Sequence, residues 1–100
     1  MTWNYRITVH QVPSGLNDGE MVGIYEVYEF YYDEDGMANG WSAEPAEPTA
    51  ESLMELQGTL NLMSTANPFW IVDLDSDPIE EVHHATGQRR PVQAGPRTQR

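Results

Sequence analysis

Residues 21–32, Met-Val-Gly-Ile-Tyr-Glu-Val-Tyr-Glu-Phe-Tyr-Tyr, are the stretch that decides the fold. β-Branched and aromatic residues dominate it, and that composition favours a β-strand. Its alternation of apolar and polar residues is imperfect. One parity holds Ile24, Glu26, Tyr28, Phe30 and Tyr32, and the other holds Tyr25, Val27, Glu29 and Tyr31. Either both faces of this strand are partly covered, or a bulge switches its faces midway.

Two more strands are predicted beside this one. Residues 3–9 alternate between apolar and polar types, which predicts a strand whose face of Trp3, Tyr5, Ile7 and Val9 is buried. Residues 33–36, Asp-Glu-Asp-Gly, are typical of a tight turn, with Gly36 suited to positive φ. A short third strand over 37–43 completes a meander. Two prolines in 44–48 then favour an extended connector.

A helix is predicted over about residues 50–66, with Thr49 as its N-cap. Its apolar stripe consists of Leu53, Leu56, Leu60 and Met63. Residues 69–74 follow as a short apolar strand that can pair with the first strand in either direction. The order β-β-β-α-β predicts an α+β fold. We expect one antiparallel meander sheet with a single helix packed on one face, because the stripe has nothing else to cover it.

The predicted domain covers residues 1–82. From residue 83 onward the sequence is polar and aperiodic and contains glycine and proline. Such a segment cannot bury enough apolar surface to order itself. Residues 83–100 are therefore predicted to be a flexible basic tail.

Charge is the second strong feature of the chain. There is no lysine, and Arg6 alone among residues 1–88 opposes sixteen carboxylates, which gives that part a formal charge of −15. Four arginines in residues 89–100 bring the total to −11. A field of this sign repels nucleic acid and anionic membranes and attracts cationic partners. We therefore expect a basic protein partner and no binding of nucleic acid or membrane by the folded domain.

The chain has no cysteine, which excludes a disulfide framework and thiolate chemistry. No apolar run approaches the roughly 20 residues that span a bilayer. The N-terminus lacks a basic region followed by a long apolar stretch, so it does not read as a secretory signal. A cytoplasmic protein is expected.

Two resemblances follow from these residues. Three segments carry the first resemblance: Trp-Asn-Tyr-Arg at 3–6, Tyr-Tyr-Asp-Glu-Asp-Gly at 31–36, and the start of the helix at Glu51-Ser52-Leu53-Met54. With them, the chain resembles a group of small uncharacterised bacterial proteins over about residues 3–74. That group lends no function. The order β-β-β-α-β, with Thr49-Ala50-Glu51 at the start of the helix, is similar to the N-terminal domain of HicB-type antitoxins. This second resemblance implies a degraded ribonuclease-H-like fold and an antitoxin role.

Acidic residues and histidines raise three candidates for metal chemistry. Residues 73–77, Asp-Leu-Asp-Ser-Asp, have the opening spacing of a calcium loop, but Pro78 stands where that loop needs glycine. Residues 80–84 hold two glutamates and two histidines, yet adjacent histidines in an extended chain point in opposite directions. A nuclease metal centre is suggested by four carboxylates, Asp33, Glu34, Asp35 and Asp73, but residues 1–88 offer only Arg6 to hold the phosphate. We predict no metal, cofactor or catalytic residue.

The aromatic residues are too many for one helix to cover, so some must face outward, where tyrosine and tryptophan serve as binding anchors. The predicted partner-binding residues are Tyr25, Glu26, Tyr28, Glu29, Tyr31, Tyr32 and Trp41. The sequence predicts a non-enzymatic acidic protein-binding module, such as an antitoxin or an inhibitor of a basic nucleic-acid-binding protein. A structural homodimer of housekeeping type and a metal-dependent hydrolase are the alternatives.

Overall fold

A computed structural model describes residues 2–15 and 19–94. Its elements are β1 Thr2–Pro13, β2 Met21–Tyr32, β3 Ala38–Trp41, α1 Leu53–Met63, β4 Trp70–Asp73, β5 Glu80–His83 and β6 Arg89–Pro91. The mixed α+β class is confirmed. The predicted bounds of the 21–32 strand also agree with β2, and Gly36 has a φ of 80° in the turn that follows.

The six strands form one sheet in the order β3-β2-β1-β4-β5-β6. Every neighbouring pair is antiparallel except β1 and β4, which run parallel. The prediction of a purely antiparallel meander is therefore wrong. The crossover from β3 to β4 contains α1, and a connection of that length is what a parallel pair requires.

The sheet curls until its two outer strands meet. Met37, beside β3, forms a bridge with Gln93, beyond β6. The Ala38 amide donates to the Val92 carbonyl at 3.1 Å, and the Ala94 amide donates to the Gly36 carbonyl at 2.9 Å. The space inside the curl is filled by a core of Tyr28, Phe30, Tyr32, Val72 and Val92.

Helix α1 does not supply this core. It buries no residue, Leu53 and Leu60 of the predicted stripe are exposed, and Leu56 and Met63 are half-buried. The prediction that the helix covers the sheet is wrong in this respect, because the sheet encloses its own inner face. The N-cap is Ser52 rather than Thr49, with the Ser52 hydroxyl accepting from the Glu55 amide at 3.1 Å. No helix within the described ranges is long and apolar enough to cross a membrane.

Strand β1 presents its polar parity to the interior. Arg6 and Thr8 are buried, whereas the apolar parity is covered only in part, with Tyr5 buried and Trp3 exposed. Arg6 pairs in register with Tyr28 of β2, and paired residues share a face. The prediction of a single buried apolar face is therefore wrong for β1.

Strand β2 contains no midway bulge, since its register with β1 is continuous from Tyr32 to Met21. Its even-numbered aromatics point into the curl, and its odd-numbered residues lie on the outer face.

Residues 83–94 belong to the sheet and are not a flexible tail. β5 and β6 form a hairpin, with a φ of 76° at Gly87 in its turn, and Val92 is buried in the core. This hairpin carries little apolar signal because arginine–carboxylate pairs hold it in place. The rest of the predicted tail, residues 95–100, lies outside the described residues.

Candidate protein-binding surface

Two of the described arginines, Arg6 and Arg90, lie inside the curl and form ion pairs with the same glutamate, Glu81. Arg6 Nη2 is 2.6 Å from Glu81 Oε1, and both side chains are almost completely buried. Arg6 also donates to the carbonyls of Gln93 at 2.8 Å and Trp70 at 3.1 Å. Arg90 Nε is 2.5 Å from Glu81 Oε2, and its guanidinium lies 3.7 Å from the centre of the Trp70 ring. Charge pairing and a cation–π contact therefore occupy both guanidinium groups.

The third described arginine, Arg89, lies on the outer face of the sheet. It donates to Asp73 Oδ2 at 2.7 Å and to Glu80 Oε1 at 2.8 Å. Burial alone raises the pKa of Asp73, but hydrogen bonds from Arg89 and from the Asp75 amide outweigh it and hold that pKa below its ordinary value. The hydrogen bonds that Arg89 donates to Asp73 and Glu80 raise its own pKa. All three described arginines are therefore paired with carboxylates of the chain.

Most carboxylates of the described residues face the solvent. Nine of them are exposed and make no ion pair with a described arginine: Asp33, Glu34, Asp35, Glu44, Glu47, Glu51, Glu55, Asp75 and Asp77. The acid excess of the sequence is thus an acid excess of the surface. A surface of this sign favours encounter with a cationic macromolecule.

The structure divides the predicted partner-binding residues between the interior and the surface. Tyr28 and Tyr32 are 9% and 0% exposed, so the prediction that they anchor a partner is wrong. They lie on the inward parity of β2, and burial raises the pKa of both hydroxyls. Tyr25 is 68% exposed and Trp41 is 44% exposed. These two aromatics remain candidates for contact with another protein.

The other three predicted residues are half-buried. Glu26 lies inward beside His10, with 3.5 Å between Glu26 Oε1 and His10 Nδ1. On the outer face, the Tyr31 hydroxyl donates to Glu29 Oε1 at 2.9 Å, and this bond raises the pKa of Tyr31. The predicted set therefore does not form one contiguous patch.

The sequence prediction missed the outer face of β1. Trp3 is exposed there and meets Tyr5 edge-on, with 5.3 Å between the ring centres. Further along the same face is a shallow depression of about 310 Å³. Its lining residues are Val9, Gln11, Tyr25, Ile71, Asp73, Val82, His84 and Arg89. The alternation in residues 3–9 does place Trp3, Tyr5 and Val9 on one face. It was missed as a contact surface because the same alternation predicts that this face is buried.

A second missed feature is the apolar surface near α1. Leu53, Met54, Leu60 and Leu62 are exposed on the helix, as is Phe69 just before β4. Scattered exposed apolar residues are normal on a protein surface, but a concentration on one short segment is typical of a contact region.

The candidate metal residues are separated by their own contacts. Asp73 pairs with Arg89, and Glu81 pairs with Arg6 and Arg90. The Asp75 carboxylate accepts a hydrogen bond from the backbone N–H of Gln11. Within residues 2–15 and 19–94, no group of three or more His, Asp or Glu side chains is placed to hold a metal ion.

The outward features of the described residues are therefore an acidic surface, exposed aromatics on the sheet and exposed aliphatics on the helix. These are features of contact with another macromolecule. No family model matches the chain, and neither a curated protein nor a solved structure matches it.

Proposed function

We propose that the chain is a non-enzymatic protein-binding module whose acidic surface attracts a basic protein. One observation carries the proposal. Each described arginine pairs with a carboxylate of the chain itself, and nine exposed carboxylates have no such partner. The surface therefore offers unneutralised negative charge to a cationic partner.

The mechanism has two stages. Long-range attraction first raises the rate of encounter with the basic protein. Exposed aromatic anchors then become buried, and Trp3, Tyr25 and Trp41 are the side chains placed for this. The first stage determines the association rate, and the second stage determines the lifetime of the complex.

A basic nucleic-acid-binding protein is the class of partner that fits best. Such a protein presents the positive surface that an acidic module needs, and an inhibitor would compete with nucleic acid for that surface. The HicB-type resemblance supports an antitoxin-like version of this role. The first five elements of the chain follow the β-β-β-α-β order on which that resemblance rests, and β5 and β6 then extend the sheet.

The test has two arms. The first arm captures partners from a lysate at low salt, elutes them with a salt step, and measures the association rate of the purified partner across a salt series. We expect the rate to fall steeply as salt rises, and a rate independent of salt would contradict the proposal. The second arm titrates labelled RNA and DNA at physiological ionic strength. Firm binding of either by the chain would also contradict it.

A structural homodimer is the second candidate, and the exposed aliphatic residues of α1 support it. Leu53 and Met54 are 71% and 81% exposed, and a second copy could bury them. Sedimentation across a concentration series tests this candidate. A dimer that dissociates in the double variant Leu53→Gln/Met54→Gln would favour it over the first proposal.

A further inference from the structure

The β1–β2 hairpin extends past the rest of the sheet on the β2 side. On that side β3 pairs only with Phe30–Tyr32. Beyond β3, the Ser42 amide donates to the Glu29 carbonyl at 2.9 Å, and the Ala46 amide donates to the Val27 carbonyl at 2.7 Å. Among the described residues, none pairs with 21–25 there. These five residues form an open edge.

The register identifies which backbone groups point out of this edge. The carbonyls of Val27 and Glu29 accept from the outside, so odd-numbered residues of β2 direct their N–H and C=O groups away from β1. The β1–β2 register continues without a bulge to Met21. Met21, Gly23 and Tyr25 therefore present their backbone donors and acceptors outward, whereas Val22 and Ile24 bond to β1.

The open edge lacks the usual protections of an edge strand. Proteins block such edges with lysine, proline, a bulge or a covering element. Residues 21–25, Met-Val-Gly-Ile-Tyr, are uncharged and exposed, and they include no proline or bulge. An edge with these properties is suited to pairing with a strand from another chain.

We propose that residues 21–25 accept an extended, cationic segment of the partner protein as an added strand, an inference that rests on the proposed function. Charge favours this occupant. Ala46 lies against Val27, two residues beyond the open edge, and the exposed Glu44 and Glu47 are close to Ala46 in sequence. Lysine or arginine next to the added strand meets those carboxylates. A second copy of the chain carries the same net charge of −11, which opposes its approach to this edge.

The experiment uses the ¹⁵N-labelled full chain and a synthetic peptide that alternates lysine with valine and threonine. On binding, we expect shifted and exchange-protected amides at Gly23 and Tyr25, with Val22 and Ile24 little changed because they already bond to β1. This alternation distinguishes backbone pairing from docking of side chains. Gly23→Pro removes an outward backbone N–H donor and is expected to weaken the affinity for the peptide by about tenfold or more. Gly23→Ala keeps that N–H donor, its added Cβ meeting only side-chain atoms of Val9, Gln11 and Tyr25, and it serves as the matched control.

Two further peptides separate the possible failures and do not depend on the folding of a variant. A backbone N-methylated version of the lysine peptide cannot pair as a strand and is expected not to bind. A version with glutamate in place of lysine is expected to bind far more weakly. Lysine-peptide binding without the alternating amide pattern overturns strand addition and leaves the proposed function standing. Equal binding of the lysine and glutamate peptides overturns the cationic partner and the proposed function together.

Two other results would also overturn the inference. One is no binding of the lysine peptide at millimolar concentration. The other is protection of Gly23 and Tyr25 in the absence of peptide that grows with protein concentration, because it would show that a second copy occupies the edge.

Discussion

Arg6 and Glu81 form an ion pair across the interior of the curled sheet, with 2.6 Å between Arg6 Nη2 and Glu81 Oε1. Arg6 lies on β1 and Glu81 on β5, and β4 lies between these strands in the sheet. The pair therefore links two strands that share no backbone hydrogen bonds. Arg6 is also the single arginine of residues 1–88, and because it is buried, a ligand in the solvent does not reach it.

The first prediction concerns this pair. Glu81→Gln leaves Arg6 buried without a counter-charge, and breaking a buried pair in this way costs about 3–5 kcal/mol. The matched control is Glu80→Gln, which removes a neighbouring glutamate paired with the exposed Arg89 and costs about 0–1 kcal/mol. Urea unfolding of both variants measures the difference. Equal losses of unfolding free energy would contradict the distinction between the two pairs.

Alkaline pH should destabilise the fold in part through Tyr32. Burial raises the pKa of its hydroxyl above the ordinary value of 10.0, although Arg6 opposes part of that increase. The unfolded chain therefore loses this proton first, and the stabilisation present below pH 10 is lost as the pH rises through the folded pKa. Tyr32→Phe should lose less unfolding free energy than the wild type between neutral pH and the alkaline range. Parallel pH profiles of the two proteins would show that Tyr32 makes no such contribution.

Acid pH should act in part through Asp73, whose pKa in the folded chain lies below its ordinary value of 3.8. The unfolded chain takes up this proton first as pH falls. The stabilisation from Asp73 is therefore present above about pH 4 and lost at lower pH. Arg89 is partly exposed, so the contribution is limited to about 1 kcal/mol. Asp73→Asn should reduce the loss of unfolding free energy at acid pH by that amount, measured by urea unfolding across a pH series. The same loss in variant and wild type would refute this assignment.

Exposed helix residues should contribute little to stability. Met54 is 81% exposed, and we expect Met54→Gln to change the unfolding free energy by less than about 0.5 kcal/mol. Phe30 is fully buried in the core, and Phe30→Ala should cost about 3–5 kcal/mol. Thermal unfolding by circular dichroism compares the two. A large loss in Met54→Gln would mean that the helix packs against the chain or against a second copy.

The sequence predicts the first three strands, the helix and β4 well, because each has a clear apolar period or a clear turn. It does not predict β5 and β6, whose buried contacts are largely ionic. Glu81 is fully buried and Arg90 covers Trp70, although both residue types are ordinarily found on the surface. A prediction based on apolar periodicity cannot recognise strands held together by charge.

The candidate surface is predicted only in part, for two physical reasons. The inward parity of β1 carries Arg6 and Thr8, because Glu81 and neighbouring carbonyls bind the two terminal nitrogens of the guanidinium, although its buried Nε has no partner among the described residues. Apolar character therefore does not identify the buried face. The open edge at residues 21–25 depends on how far β3 runs along β2. That length is decided by tertiary pairing and is not encoded locally in either strand.

The closure of the curl at Val92 also has a consequence during synthesis. Val92 is buried against an aromatic core that includes Phe30 and Tyr32, which are made some sixty positions earlier. A ribosome must therefore translate almost the whole described chain before the aromatic interior can be sealed. During that interval the growing polypeptide carries an excess of negative charge, and repulsion between nascent chains on one messenger RNA opposes their aggregation.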